Sequence, residues 1–227
     1  MKTVLITGTS RGIGQALAAK FITEDWSVIG TSTDDVANKS SAGFDIFKLD
    51  LANPKSIADC VAGIATLNKE IDILINNAGV LLDDEETRLD PEKLRKTLEV
   101  NVIGTASFTE KIIPLLANEA HIVNISSAAG SLEDTEHVED SHSPYHYPAY
   151  KISKAALNMY TRTLAVRLKH EGTSILVSSV HPGWVKTNLG GNDAPILPSE
   201  AALHIFDLAT SRPQTGQFWY NGKKYPW

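Results

Sequence analysis

Short apolar runs alternate with helix-forming stretches along the whole chain, and this alternation constrains the fold more than any other feature. Lys2 to Thr7 is a buried-type strand that Gly8 ends at once, and a helix follows from about Gly12 to Glu24. Further strands are predicted at Trp26–Thr31, Phe44–Leu49, Ile71–Asn76, His121–Ser126 and Ser174–Val180, with a last one near Gly216–Trp219. Asn53-Pro54 and Asp90-Pro91 each pair a capping side chain with a proline suited to a first helical turn. The first opens a helix to about Asn68. The second opens a long helix that should bend near Pro114, since proline removes an interior hydrogen bond. Two more helices are predicted over Pro148–His170 and Ser199–Thr210. Parallel strands need crossovers, which helices provide, so the order predicts one doubly wound Rossmann-type α/β domain over residues 1–227. Its sheet should be mostly parallel, with helices on both faces. In such a sheet a ligand lies beyond the carboxyl ends of the strands, where the strand order reverses.

The bulk chemistry narrows the class. No run approaches the roughly 18 apolar residues that span a bilayer, and the N-terminus lacks the regions of a secretory signal. A lone cysteine, Cys60, forms no internal disulfide and fits a reducing compartment, so the expected location is the cytoplasm. The net charge is −6, from 27 acidic and 21 basic residues. Five of those acids (Glu133, Asp134, Glu136, Glu139 and Asp140) lie between Ala128 and Tyr147, a stretch without Lys or Arg, and the remainder is nearly neutral. No broad basic surface is implied. Nucleic acid and anionic membrane are therefore not expected partners.

After the first strand comes Thr7-Gly8-Thr9-Ser10-Arg11-Gly12-Ile13-Gly14. Glycines permit a tight turn and close approach of a pyrophosphate, and the helix that follows offers unpaired amides at its positive end. The end of the second strand, Gly30-Thr31-Ser32-Thr33, lacks the acid that would bind an adenosine ribose diol. Hydroxyls there, with Arg11 in the glycine turn, suit a 2′-phosphate. Asp34 and Asp35 just beyond argue the other way. The pattern favours NADP(H), with NAD(H) as the alternative.

Six motifs in order resemble the short-chain dehydrogenase/reductase family, in its compact single-domain branch. They are Thr7-Gly8-xxx-Gly12-x-Gly14, Asn76-Asn77-Ala78-Gly79, Asn101, Asn124-Ile125-Ser126-Ser127, Tyr150-xx-Ser153-Lys154 and Pro182-Gly183-xxx-Thr187. His181 to Thr187 and the terminal Gly222 to Trp227 are similar to the group holding sniffer-type carbonyl reductases and the bacterial C-signal protein. The resemblance implies cofactor contacts from Gly8, Ser10, Arg11, Gly12, Ile13, Gly14 and Thr33. It places Asp50 and Leu51 at the adenine, Asn77, Ala78 and Gly79 along the cofactor, and Val185 and Thr187 at the nicotinamide end, with Pro182 and Gly183 also touching the cofactor. It also implies a homodimer or homotetramer built through the helices starting near Pro91 and Pro148.

Reducing a carbonyl leaves negative charge on its oxygen, which must then gain a proton. A phenol with its ordinary pKa near 10 does this poorly at neutral pH, and a nearby ammonium favours the phenolate. Residues four apart share a helix face, so Tyr150 and Lys154 can meet. Tyr147 and Lys151 have the same spacing. Pro148 decides between them, because it suits a first helical turn and pushes the residue before it off helical angles. By resemblance, Ser127 binds the substrate oxygen, Asn101 anchors a relay water, and Tyr150 and Lys154 also touch the cofactor.

Ser127 and Tyr150 stand farther apart than in many members of that family. The added segment, about residues 132–147, is acidic and contains His137, His142 and His146. This chemistry needs no metal, so none is assigned. An acidic loop beside the substrate mouth should disfavour anionic substrates. The Gly- and Pro-rich stretch at about 188–200 is a candidate substrate lid, and Trp184 could line the pocket. The expected function is reversible hydride transfer between NADP(H) and a small or medium carbonyl/alcohol pair. The alternatives are a 3-oxoacyl thioester reductase and a cofactor-binding sensor or intercellular signalling protein.

Overall fold

The carboxyl ends of two central strands frame a crevice, and the sheet order shows why. The computed structural model describes all residues except 35–39, 42 and 134–145, with Ser40 and Ser41 described by their backbone alone. Among the described residues the strands are β1 (Thr3–Ile6), β2 (Ser27–Ser32), β3 (Ser40–Ser41), β4 (Phe44–Lys48), β5 (Ile71–Asn76), β6 (Leu116–Ile125), β7 (Leu176–Val180), β8 (Gln217–Tyr220) and β9 (Lys223–Lys224). They form one sheet in the order β3-β4-β2-β1-β5-β6-β7-β8-β9. From β4 to β8 every pairing is parallel, and only the two-residue edges pair antiparallel. The connections run outward one way from β1 and the other way from β5. The order therefore reverses between these two neighbours, the position at which such sheets bind ligands.

Helices α1 (Gly12–Thr23) and α6 (Pro198–Thr210) cover one face. There Leu17, Phe21, Ile205 and Leu208 pack on Val4, Ile6, Ile73, Ile75 and Val123. Helices α2 (Pro54–Ala65), α4 (Thr105–Ile112) and α5 (Pro148–His170) cover the other. Their Ile57, Ile64, Phe108, Ile112, Leu164 and Leu168 pack on Leu5, Ile29, Leu74, Ile122 and Val177. Successive residues of β1 thus face opposite cores, which is why the strand reads as a continuous apolar run. Each such side chain, fully buried, contributes about 1.5–3 kcal/mol. Cys60 belongs to the second core, and burial pushes its thiol up to about 12, so it packs as a small apolar group.

The two predicted caps are formed. Asn53 Oδ1 accepts from the amides of Lys55 (3.0 Å) and Ser56 (3.2 Å), and Asp90 Oδ1 from those of Glu92 (2.7 Å) and Lys93 (3.3 Å). The helix opened by Asp90 departs from the sequence expectation. Instead of one long helix bent near Pro114, α3 (Pro91–Leu98) passes into a π-helical turn, Glu99–Gly104, before α4 begins. Pro114 lies in a 3₁₀ turn, Ile113–Leu115, that ends the helical stretch. The π turn brings Gly104 against backbone: a Cβ there would stand 2.1 Å from the Leu51 carbonyl oxygen. Strand β6 starts five residues before the predicted His121, because exposed Asn118 and Glu119 interrupt its apolar pattern after half-buried Leu116 and Ala117.

Polar groups also cross the core. Asn76 Nδ2 donates to Thr109 Oγ1 and to Asn124 Oδ1, both at 2.8 Å, and Asn124 Nδ2 donates to Thr161 Oγ1 at 2.8 Å. This chain of bonds ties β5 and β6 to α4 and α5. His121 is buried between the Ala209 carbonyl (3.1 Å) and Ser178 Oγ (2.9 Å), and desolvation brings its pKa down to about 4, so it is neutral. No described helix is long and apolar enough to cross a membrane.

Candidate active site

The turn after β1 is clamped from two sides. Gly8 donates its amide to Thr31 Oγ1 (3.2 Å) and Thr9 donates its own to the Thr31 carbonyl (2.8 Å). Thr7 Oγ1 accepts from the amides of Asn77 (2.9 Å) and Ala78 (3.0 Å), and Asn77 Nδ2 donates to the carbonyls of Thr7 and Gly8. Gly8 and Gly12 hold φ of +73° and +59°, the left-handed region where side chains are strained. Gly14 serves close packing instead, since a Cβ on it would stand 2.1 Å from the Gly8 carbonyl oxygen. Helix α1 then begins with Arg11 in extended conformation and with no side-chain capping bond, unlike α2 and α3. Its first amides are left for an anion.

One cavity of about 640 Å³ joins this turn to the predicted chemistry. The β4-β2-β1 side of the sheet contributes Ser10, Arg11, Thr31, Thr33, Asp50 and Leu51 to its wall, and the β6-β7 side with α5 contributes Ser127, Tyr150, Lys154 and Trp184. Between them lie Gly8, Gly12, Ile13, Asn77, Ala78 and Gly79, with Pro182, Gly183, Val185 and Thr187 also in the wall. Two predicted residues stand behind the wall. Gly14 packs under the turn. Asn101 is buried, with Oδ1 accepting from the Val80 amide (2.8 Å) and Nδ2 donating to the Val80 carbonyl (2.9 Å) and Ser153 Oγ (3.0 Å). Its side chain is committed to protein, so it braces the loop after β5 against α5. The π turn that carries it marks the place, as such turns often do at functional sites.

Helix α5 carries the predicted pair. Pro148 occupies its first turn, with Tyr150 just inside and Lys154 one turn later. Lys154 Nζ donates to the Ile125 carbonyl (2.8 Å) and lies 5.4 Å from the Tyr150 ring centre. Burial brings its pKa down from 10.5 to about 8, which still leaves it an ammonium at neutral pH. Gly130 lets the turn after β6 lie flush on α5, since a Cβ there would stand 2.6 Å from the Lys154 carbonyl carbon. Ser127, just before that turn, accepts from the Ala129 amide at 3.2 Å. The competing pair is placed differently. Tyr147 lies outside α5 with φ 46° and ψ 54°, and Lys151, though 5.3 Å from the Tyr147 ring, takes no part in the cavity wall. Pro148 was expected to keep Tyr147 off helical angles, and the residue is left-handed rather than extended.

The predicted lid region folds onto itself. Val185 and Ile196 form a bridge, Trp184 Nε1 donates to the Gly190 carbonyl (2.7 Å), and Thr187 Oγ1 accepts from the Gly190 amide (3.1 Å). Thr187 reaches the glycine turn, for a Cβ on Gly12 would stand 3.3 Å from its Cγ2. Of the acidic insertion, residues 134–145, including His137 and His142, lie outside the described residues, as does Asp35. The Ile125 carbonyl and buried Asp83 were missed in the sequence, and the Thr31 hydroxyl, expected at a phosphate, instead accepts from the Gly8 amide. The Ile125 carbonyl is a main-chain atom with no sequence signal of its own, and Asp83 meets the Ala149 amide 66 residues away.

A glycine turn at the sheet's switch point and a Tyr–Lys helix pair, opening on one cleft, define a Rossmann-type nicotinamide oxidoreductase. The chain belongs to the short chain dehydrogenase family, whose model matches residues 2–195. It is 30% identical over 225 residues to a 1-hydroxy-2-glutathionyl-2-methyl-3-butene dehydrogenase of Rhodococcus sp. strain AD45, covering 96% of each chain. A short-chain dehydrogenase/reductase of Burkholderia multivorans with bound NADP superposes with TM-score 0.85 at 28% identity, covering 100% of this chain and 99% of the other. The carbonyl reductase Sniffer of D. melanogaster also superposes with TM-score 0.85, at 27% identity and full coverage of both chains. These likenesses are equally strong, so they define the family and do not single out the sniffer-type branch.

Proposed function

We propose that this enzyme reversibly reduces small or medium carbonyl compounds to alcohols with NADP(H). The observation that carries this reading is that Ser127, Tyr150 and Lys154 share one cavity with the glycine turn. The residues present fit the cofactor. The uncapped start of α1 and the glycine cradle suit a pyrophosphate, and Arg11, Ser10 and Thr33 at the far end suit a 2′-phosphate. Asp34, which would oppose that phosphate, is absent from the cavity wall and accepts a hydrogen bond from Ser32 Oγ at 3.2 Å. Asp50 and Leu51 would flank the adenine. Asn77, Ala78 and Gly79 would lie along the middle, and Pro182, Gly183, Val185 and Thr187 at the nicotinamide. The Burkholderia relative's bound NADP supports the same choice.

When bound, the nicotinamide supplies or takes up the electron pair of the carbonyl/alcohol couple. The chain's own residues manage the oxygen and its proton. Ser127 donates a hydrogen bond to the carbonyl oxygen, where charge develops. Tyr150 gives that oxygen its phenolic proton, and Lys154 stabilises the phenolate left behind. The Ile125 carbonyl fixes the ammonium in a dry setting where its charge acts strongly. Asn101 acts by holding the Val80 loop and α5 together.

The test is cofactor oxidation across neutral and anionic aldehydes, ketones, quinones and acyl thioesters, with NADPH and NADH compared. NADPH-dependent turnover of neutral aldehydes or ketones is expected. Turnover confined to acyl thioesters would replace the reading with a thioester reductase, and tight NADPH binding without turnover on any class would replace it with a sensor.

A homodimer or homotetramer through the long helices is also proposed. Ile152, Met159 and Val166 repeat every seven residues on α5 and stay exposed, with Ile103 of the π turn exposed as well. Sedimentation should return a multiple of the 24.6 kDa chain mass; a purely monomeric particle at micromolar concentration would sink this assignment.

A further inference from the structure

Helix α5 places Tyr150 in its first turn but lacks a cap of its own. The residue before it, Tyr147, has a left-handed backbone and makes no side-chain capping bond. The capping acceptor comes from elsewhere in the chain. Asp83, in the loop after β5, is 2% exposed, and its Oδ2 accepts from the Ala149 amide at 2.6 Å. The backbone N–H of Tyr150 also hydrogen-bonds this carboxyl. The same loop makes two further attachments to this helix end. The Glu86 carbonyl accepts from the Tyr147 amide (2.9 Å), and Leu81 packs against Tyr147, Tyr150 and Ala129. Glu86 is itself ion-paired to Lys93 of α3.

We propose that Asp83 is a positioning residue: by holding the main chain at Ala149 and Tyr150, it fixes where the phenol stands relative to Ser127 and Lys154. Three observations support this. First, a left-handed residue before the helix gives the chain no local means of setting the first turn, so its direction depends on the docked loop. Second, the carboxyl is buried at real cost, and its Oδ1 meets no hydrogen-bond donor among the described residues. A group used only to fill space would be apolar. Third, the acceptor sits at the positive end of a 23-residue helix, where a negative oxygen holds amides most firmly. Asp83 therefore acts through backbone at the reacting residue. The loop that carries it begins at Asn77-Ala78-Gly79, in the cofactor wall, so one segment places both the cofactor side and the acid.

This inference rests on the reading of Tyr150 as the proton donor, and a double-mutant cycle separates the two. Asp83→Ala should lower kcat by about 10- to 100-fold, the effect of displacing a reacting group by up to an ångström, while NADPH affinity changes less than about twofold. Asp83→Asn keeps an acceptor oxygen and should recover most of that loss. Asp83→Ser, which also retains a short acceptor, serves if the alanine variant does not fold. The pH profile of kcat should shift in Asp83→Ala and return in Asp83→Asn. In a Tyr150→Phe background, Asp83→Ala should add less than about twofold. A fall in melting temperature with kcat unchanged would overturn the proposal, as would an asparagine variant as impaired as the alanine one. An undiminished Asp83→Ala effect in the Tyr150→Phe background would overturn it too. Full activity of Tyr150→Phe alone would instead overturn the underlying reading of the chemistry.

Discussion

Lys154→Met should sharply lower turnover and at the same time stabilise the cofactor-free protein. The two effects share one cause. Lys154 is buried as an ammonium, its pKa brought down from 10.5 to about 8 by desolvation alone. That difference corresponds to about 3 kcal/mol of stability lost at neutral pH. Methionine keeps the apolar stem and removes the charge. It also leaves the Ile125 carbonyl without its donor, which costs about 1 kcal/mol. A net gain near 2 kcal/mol, or about 4–8 °C in melting temperature for a chain of this size, is expected. The gain should depend on pH with a definite sign. Between about pH 8 and 10.5 the unfolded parent still binds the proton that the folded parent has released, so the parent's stability climbs through this window. The variant's advantage should therefore be complete below pH 8 and gone above about 10.5. Turnover should fall at least about 100-fold, the lower range for removing acid–base assistance. Denaturant melts at pH 7 and 10 check the first claim, and steady-state rates the second. A less stable Lys154→Met protein would mean that the ammonium is better solvated than its surroundings indicate.

Tyr150→Phe is expected to lower kcat by about 10²- to 10⁴-fold with the fold and cofactor affinity intact. Only the phenolic oxygen is lost, and the ring keeps its contacts with Leu81, Ala129 and Tyr147. Tyr147→Phe should retain turnover, because its lysine partner by spacing lies outside the cavity. Measuring kcat and NADPH binding for both variants distinguishes the pairs. Loss of turnover in Tyr147→Phe with full activity in Tyr150→Phe would reverse the assignment.

Much of this arrangement was legible in the sequence because its signals are local. Alternating apolar runs gave the parallel sheet, the Asn-Pro and Asp-Pro pairs marked two helix starts, and Pro148 set the phase that puts Tyr150 and Lys154 together. What escaped notice depends on distant contacts or on single-residue changes of register. The π turn at Glu99–Gly104 adds one residue within a helical stretch, which alters no composition and no cap. Strand β6 has exposed Asn118 and Glu119 near its start, which break the apolar pattern. Asp83 looks like any loop acid beside Asp84 until the fold brings α5 to it. Trp184 could be placed at the pocket from sequence, but not its bond to the Gly190 carbonyl, which comes from a loop closing on itself.

The extra residue in the π turn has a geometric consequence of its own. An α-helix advances about 100° per residue, so one inserted residue turns everything beyond it by about that angle. α3 can then pack on α5 beside the predicted site, while α4, in the same continuous rod, packs mainly on α2 in the hydrophobic layer, with exposed Glu110 reaching Arg167 of α5. A straight helix would have offered the same stripe to both. The slip lets one rod serve two clients at different bearings, with Asn101 at the joint. Residues upstream are thereby free to vary with the demands of the cleft, and residues downstream with those of packing, without either having to follow the other's periodicity.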